Sequence, residues 1–157
     1  RCIHLVTGTI PLGPMKRTFG DHVLYVGDAA GLVKPTSGGG IYTGVRSARH
    51  AAATAVACCE CGDFSDRKLG MYEKLWKADF GRELALGYRL LMARRRMAPE
   101  DLDRTLRSLN TQEMRDLIVA YGDMDRPGRL LQECLRRPQL LGTAASVLWS
   151  VFRSRMK

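Results

Sequence analysis

Residues 23–53 read VLYVGDAAGLVKPTSGGGIYTGVRSARHAAA, and this stretch constrains the fold more than any other in the chain. Val23-Leu24-Tyr25-Val26 is a short run of β-branched, aliphatic and aromatic residues, the pattern of a buried strand. Gly27-Asp28 ends it with a turn-forming pair that leaves a carboxylate at the strand tip. A loop follows with Gly31, Pro35 and the triplet Gly38-Gly39-Gly40. From Ile41 to about Cys61 the chain is Ala-rich, free of proline and built of good helix formers. The order is strand, acidic tip, glycine loop, helix.

That order has a use. The first turn of a helix exposes N–H groups with no intrahelical acceptor, at the positive end of the dipole, and so favours anionic or electron-rich groups. Glycines before it remove Cβ atoms and let a flat or phosphorylated ligand approach the backbone. Asp28 at the strand tip can accept hydrogen bonds from ligand hydroxyls. A plain βα connection has no need of three adjacent glycines, which lower helix propensity.

Gly27-Asp28-Ala29-Ala30-Gly31, Pro35-Thr36 and Gly38-Gly39-Gly40-Ile41 together resemble the second flavin-binding motif of flavoproteins related to para-hydroxybenzoate hydroxylase. The resemblance implies FAD as cofactor, with Gly27, Asp28 and Gly31 forming the acidic turn. Asp28 would hold the ribityl hydroxyls, and Pro35 would lie beside the isoalloxazine ring. Gly38 and Gly39 would open the approach, and the N–H groups of Gly40, Ile41 and Tyr42 would face the N1/O2 edge.

Thr9-Ile10-Pro11-Leu12-Gly13-Pro14, Val33-Lys34-Pro35-Thr36, Gly40-Ile41-Tyr42, Tyr72-Glu73-Lys74-Leu75-Trp76, Gly81-Arg82-Glu83-Leu84 and Gly122-Asp123-Met124-Asp125-Arg126-Pro127 narrow the match. They resemble the geranylgeranyl reductase family. This implies an oxidoreductase that uses reduced FAD to saturate double bonds of polyprenyl lipid or pigment precursors, supplied by an external electron donor. No proton donor is identifiable, so no catalytic residue is named. The same motif would serve an FAD-dependent monooxygenase or epoxidase. A reading of another class is a non-catalytic basic helical module docking on membrane or nucleic acid, which would not need a flavin motif.

No G-x-G-x-x-G is present, although the resemblance requires one for the FAD pyrophosphate. The expectation is therefore the C-terminal part of a longer enzyme, inactive alone. The formal charge is +9, from 25 Lys and Arg against 16 Asp and Glu, which directs attention to anionic partners. No nucleic acid is expected, since zinc-finger spacing and RNA-binding aromatic motifs are absent. An anionic membrane surface suits a lipid-modifying enzyme better, giving a cytoplasmic protein with peripheral contact at the inner face as an option. Cys2, Cys58, Cys59, Cys61 and Cys134 are odd in number and lack a second pair at zinc-ligand spacing, so free thiols and no metal are expected.

Along the chain, Cys2–Thr7 suits one strand, Thr9–Pro14 a turn-rich crossing and Arg17–Asp21 a loop. By the resemblance, Val23–Val26 would join a parallel sheet. The first helix spans about Gly39 to Cys61 and stops at Gly62, with His50 as a packing or surface residue. Ser65 or Asp66 caps a second helix running to about Met97. Leu69, Tyr72, Leu75, Trp76, Phe80, Leu84, Tyr88 and Leu91 form its core seam, and Gly81 and Gly87 mark close packing or a bend. Arg94-Arg95-Arg96 suits the helix C-terminus.

Pro99-Glu100-Asp101 starts a third helix, and Asn110 with Glu113 suggests a capping box for a fourth that ends at Gly122. Asp125 and Pro127 start another through Arg136. Pro138–Arg155 carries a broad apolar face flanked by basic residues, too short to span a bilayer and suited to lie on a membrane or dock on the core. The fold class expected is an α/β FAD-binding remnant (strand, glycine loop, helix) followed by an α-helical C-terminal domain, divided into residues 1–62 and 63–157.

Overall fold

The computed structural model describes residues 4, 7–123, 125–138 and 140. The strand expected over Cys2–Thr7 and most of the helix expected over Pro138–Arg155 lie outside these residues. The chain folds as two compact units, Arg1–Leu84 and Ala85–Lys157. The described residues are mainly helical, with one small sheet.

In the first unit, β1 (Phe19–Gly20) and β2 (Val23–Leu24) form an antiparallel hairpin, with Phe19 opposite Leu24 and Gly20 opposite Val23. Its turn is Asp21-His22, and His22 takes a left-handed φ of 55°. The strand read at Val23–Val26 thus pairs over two residues only, and part of the loop read at Arg17–Asp21 is its partner. Local closure explains this, because a two-residue turn brings Phe19–Gly20 alongside Val23–Leu24 at little entropic cost.

A short 3-10 turn, Gly27–Ala30, follows and ends at Gly31 with φ 68°. After the loop, α1 runs Ile41–Cys61 and stops at Gly62, whose φ of 64° is the left-handed C-terminal stop that glycine supplies. Next come α2 (Asp66–Trp76), one π turn (Lys77–Gly81) and α3 (Arg82–Arg96). The single helix expected from Ser65 to Met97 is therefore broken in phase by the π turn. One wide turn inserts an extra residue and rotates everything after it.

Beyond Trp76, that rotation sets which residues stay on the seam. Leu69, Tyr72, Trp76, Phe80, Leu84 and Leu91 are buried, whereas Leu75 and Tyr88 are each 38% exposed. Tyr72, Trp76, Phe80 and Leu84 pack with Ala30, Leu32 and Ala51, and with the partly buried Leu24 and Val26. Trp76 and Phe80 stack at 5.7 Å.

Polar groups inside this core are paired, as low polarity demands. Trp76 Nε1 donates to Thr18 Oγ1 at 2.9 Å, and Thr18 donates its N–H and hydroxyl to Glu73 Oε2 at 2.8 and 3.1 Å. Tyr72 donates its hydroxyl to the Tyr25 carbonyl at 2.7 Å, tying α2 to the chain just after β2.

The second unit contains α4 (Pro99–Leu109), α5 (Gln112–Tyr121) and α6 (Pro127–Leu135). Pro99 occupies the first turn of α4, with Glu100 and Asp101 at the positive end of the dipole. The cap of α5 is Thr111, not Asn110: its Oγ1 accepts from Met114 N at 3.2 Å. Either polar side chain can cap, and backbone geometry selects the one in extended conformation, φ −104° and ψ 157° at Thr111. Met114, Leu117 and Leu140 form the core here, with Leu109, Tyr121, Leu130 and Cys134 against it. Among the described residues, no helix is long and apolar enough to cross a membrane.

Candidate functional site

The acidic turn and the start of α1 come together in the first unit through glycines. Gly27 takes φ 57°, and a Cβ there would lie 3.4 Å from Gly44 Cα, so the turn and α1 touch backbone to backbone. Gly27 N donates to Ser47 Oγ at 3.1 Å, and Ser47 in turn donates to the Gly44 carbonyl at 2.9 Å. Gly31 leaves no room for a side chain: a Cβ would sit 2.0 Å from the Gly13 carbonyl oxygen. The Thr9–Pro14 crossing therefore lies directly over the turn, and Met15 N donates to the Ala30 carbonyl at 3.0 Å.

The loop from Leu32 to Gly40 closes on itself. Lys34 N donates to the Gly39 carbonyl at 3.1 Å, and Gly38 N to the Lys34 carbonyl at 2.8 Å. Gly38 has φ 73°, a left-handed turn position that suits glycine. Pro35 is buried within it. The loop delivers Gly40 to the N-terminus of α1, where no side chain supplies a cap.

Gly40 meets Asp28. A Cβ at Gly40 would fall 2.3 Å from Asp28 Oδ1, so the carboxylate occupies the space the missing side chain leaves. Asp28 is exposed, with its carboxylate beside the first turn of α1. An acceptor and a set of helix-start donors thus stand side by side, on backbone stripped of Cβ atoms.

Beside them runs an open groove of about 630 Å³ lined by Lys34, Gly39, Ile41, Tyr42, Val45 and Arg46. Ile41 and Val45 are 87% and 66% exposed. Arg46 lies over the Tyr42 ring at 5.5 Å and grips the Asp79 carboxylate with two hydrogen bonds, one from Nε at 2.7 Å and one from its second nitrogen. His50 Nε2 lies 2.9 Å from Asp79 Oδ2. The Arg46 hydrogen bond holds the Asp79 carboxyl below the usual carboxylate range against the opposing effect of burial, with His50 adding to it. The same pairing raises the Arg46 guanidinium.

The structure thus brings Gly27, Asp28, Gly31, Gly38, Gly39, Gly40, Ile41 and Tyr42 into one region around the turn and the helix start, with Pro35 buried in the loop between them. Sequence reasoning missed Arg46, Asp79 and the partner of His50. A signal existed: Arg46 and His50 are four residues apart on one helix, where two donors share a face. Their acceptor lies 29 to 33 residues away on the π turn. Among the described residues, no group of three or more His, Cys, Asp or Glu side chains is placed to hold a metal. Cys58, Cys59, Cys61 and Cys134 are free thiols.

The family model described as lycopene cyclase protein matches residues 3–135. An uncharacterized protein of Methanocaldococcus jannaschii is 36% identical over 130 residues, 83% of this chain and 33% of that protein. Digeranylgeranylglycerophospholipid reductase 2 of Methanothermobacter thermautotrophicus is 36% identical over 113 residues, 71% of this chain and 29% of that protein. The enzyme of the same name from Methanopyrus kandleri is 31% identical over 147 residues, 93% of this chain and 36% of that protein. The chain spans about a third of the length of these relatives. No solved structure matches. On the family match and these relatives, the chain belongs to the lycopene cyclase protein family, as a member of its geranylgeranyl reductase type.

Proposed function

We propose that this chain forms the flavin-facing part of an FAD-dependent oxidoreductase that saturates double bonds in polyprenyl lipid chains. The observation that carries the reading is the contact between the Asp28 carboxylate and Gly40 at the uncapped start of α1. FAD combines hydroxyls on a flexible ribityl chain with a flat ring that turns electron-rich on reduction, and this arrangement suits both. The names of the reductases from Methanothermobacter and Methanopyrus supply the substrate class.

Asp28 would accept hydrogen bonds from the ribityl hydroxyls, and Gly27 and Gly31 would keep it at the end of a tight turn. The N–H groups of Gly40, Ile41 and Tyr42 would face the ring's N1/O2 edge, where helix-start donors favour negative charge at no reorganisation cost. Gly38 and Gly39 would keep the approach free of side chains, with Pro35 beside the ring. Bound FAD would supply the hydride for alkene reduction. Ile41 and Val45 would present an apolar wall along the groove that excludes water from a prenyl chain. Re-reduction falls to an external donor.

The test uses the full-length polypeptide with its flavin reduced under anaerobic conditions. Adding a geranylgeranyl lipid should return the absorbance of oxidised flavin and yield saturated product. No response to lipid, with product formed only when oxygen is admitted, would replace the reductase by a monooxygenase. Asp28→Ala should weaken FAD binding. Unchanged affinity in that variant would remove the ribityl assignment.

A further inference from the structure

The groove beside the acidic turn carries more charge than a hydrocarbon chain needs. A run of isoprene units asks only for apolar surface, and Ile41 and Val45 supply it. The same lining holds two cations, Lys34 and Arg46. Gly39 makes room for the lysine: a Cβ there would fall 2.9 Å from Lys34 Cε and 3.3 Å from Lys34 Nζ, so the ammonium lies against bare backbone just ahead of α1. Asp79 places the arginine. Its carboxylate, on the π turn, takes one hydrogen bond from Nε and one from the second nitrogen, and Arg46 lies over the Tyr42 ring at 5.5 Å. A helical side chain leans toward the N-terminus of its own helix, the direction from Arg46 back to Tyr42. Gly39 and Tyr42 are three residues apart, so the two cations flank the start of α1 within about one helical turn.

We propose that Arg46 and Lys34 bind the phosphate at the head of a prenyl-bearing lipid, while Ile41 and Val45 take the start of its chain. A phosphate accepts from a guanidinium fork and from an ammonium point charge at once, and both kinds of donor line this groove. The bonds to Asp79 use two guanidinium N–H groups and leave Nη1 with two of its own. They also fix the guanidinium in advance: Asp79 is shared with His50 Nε2 at 2.9 Å, so Arg46 has little freedom left to lose when a ligand arrives. A neutral prenyl lipid in the same groove would strip water from two cations and give nothing back. The groove therefore selects phosphorylated lipids over neutral ones. This inference rests on the reading of the groove as the prenyl site and adds what recognises the head of the substrate.

The test is calorimetric binding of farnesyl monophosphate, farnesol and inorganic phosphate to the full-length polypeptide. It compares wild type, Arg46→Gln and Lys34→Gln, with a thermal melt of each. Farnesyl monophosphate should bind about tenfold or more tighter than farnesol, because hydrogen bonds between ionised partners are the strong ones. Each variant should lose most of that margin and keep its affinity for farnesol. Lys34→Gln leaves the Arg46–Asp79 pair intact, so it decides the matter if Arg46→Gln melts low. Equal wild-type affinities for the two prenyl compounds, or a margin that survives both variants, overturn the proposal and leave the prenyl reading standing. If neither prenyl compound binds, that reading falls with it. Inorganic phosphate binding as tightly as farnesyl monophosphate overturns the lipid-head assignment and shows a site for free phosphate. FAD affinity, titrated on the same proteins, should not change. A fall of about tenfold in both variants would place the two cations in the flavin site and overturn the proposal.

Discussion

Replacing Gly40 by alanine separates binding from folding. The backbone at Gly40 has φ −107° and ψ −14°, which any residue adopts, so the substitution introduces no left-handed strain. Its new Cβ would sit 2.3 Å from Asp28 Oδ1 and 3.2 Å from Asp28 Cγ. Ordinary contact begins near 3.4 Å, so the carboxylate must move by about 1 Å, enough to break a hydrogen bond made at 2.7–3.0 Å. Asp28 is exposed and can swing away without opening a cavity. Loss of glycine at an N-cap position costs less than about 1 kcal/mol of stability. Losing hydrogen bonds to a charged carboxylate costs about 1.5–3 kcal/mol, or roughly ten- to hundredfold in FAD affinity. The assay is titration of the flavin-free full-length protein with FAD, beside a thermal melt. Unchanged affinity, or a loss of affinity accompanied by a collapse in Tm, would refute the reasoning.

Three further outcomes follow from the same geometry. Gly31→Ala should lose several kcal/mol, seen as a large fall in Tm, because φ 68° disfavours a Cβ and the Gly13 carbonyl oxygen stands 2.0 Å from where it would go. Asp79→Asn should flatten the acid limb of stability. The Asp79 carboxyl is depressed in the fold, so its contribution is whole above the unfolded value of about 3.9 and is lost as pH falls through the folded value. Melts from pH 6 to pH 2 check this, and equal acid sensitivity of the two proteins would count against the Arg46–Asp79 pair. Tyr72→Phe should cost about 1 kcal/mol at neutral pH, since the Tyr25 carbonyl loses its donor. Burial pushes the Tyr72 hydroxyl up to about 12, so wild-type stability should fall between pH 10 and 12 relative to the variant, where the unfolded phenol ionises and the folded one does not. Equal loss of stability by the two proteins between pH 10 and 12 would reject that assignment.

Local chemistry was legible in the sequence. The turn at Gly27-Asp28, the extent of α1 and its stop at Gly62, and the start of α4 at Pro99 are written in residues whose φ range or capping ability acts within one turn. The likeness to flavoproteins rested on the same kind of signal, a spacing of glycines, one Asp and one Pro within 15 residues. Where two residues could do one task, the reading slipped. Asn110 and Thr111 both cap, and only the backbone angles chose Thr111.

What the sequence determined by itself was therefore an order of elements and the position of a carboxylate before a bare helix start. The tertiary structure decided what touches what: Asp28 in the space beside Gly40, Thr18 between Trp76 and Glu73, and Asp79 joined to Arg46 and His50. It also decided the phase of the helix beyond Trp76, since the π turn keeps Phe80 and Leu84 on the seam while Tyr88 is off it. The reason is one of range. Backbone preferences and caps act over about four residues and leave a mark in adjacent letters, whereas a through-space contact depends on how elements tens of residues apart pack. Helix α1 shows both sides of this: an apolar periodicity is readable from Ile41 to Cys59, but only packing revealed that the small polar face is the one turned inward.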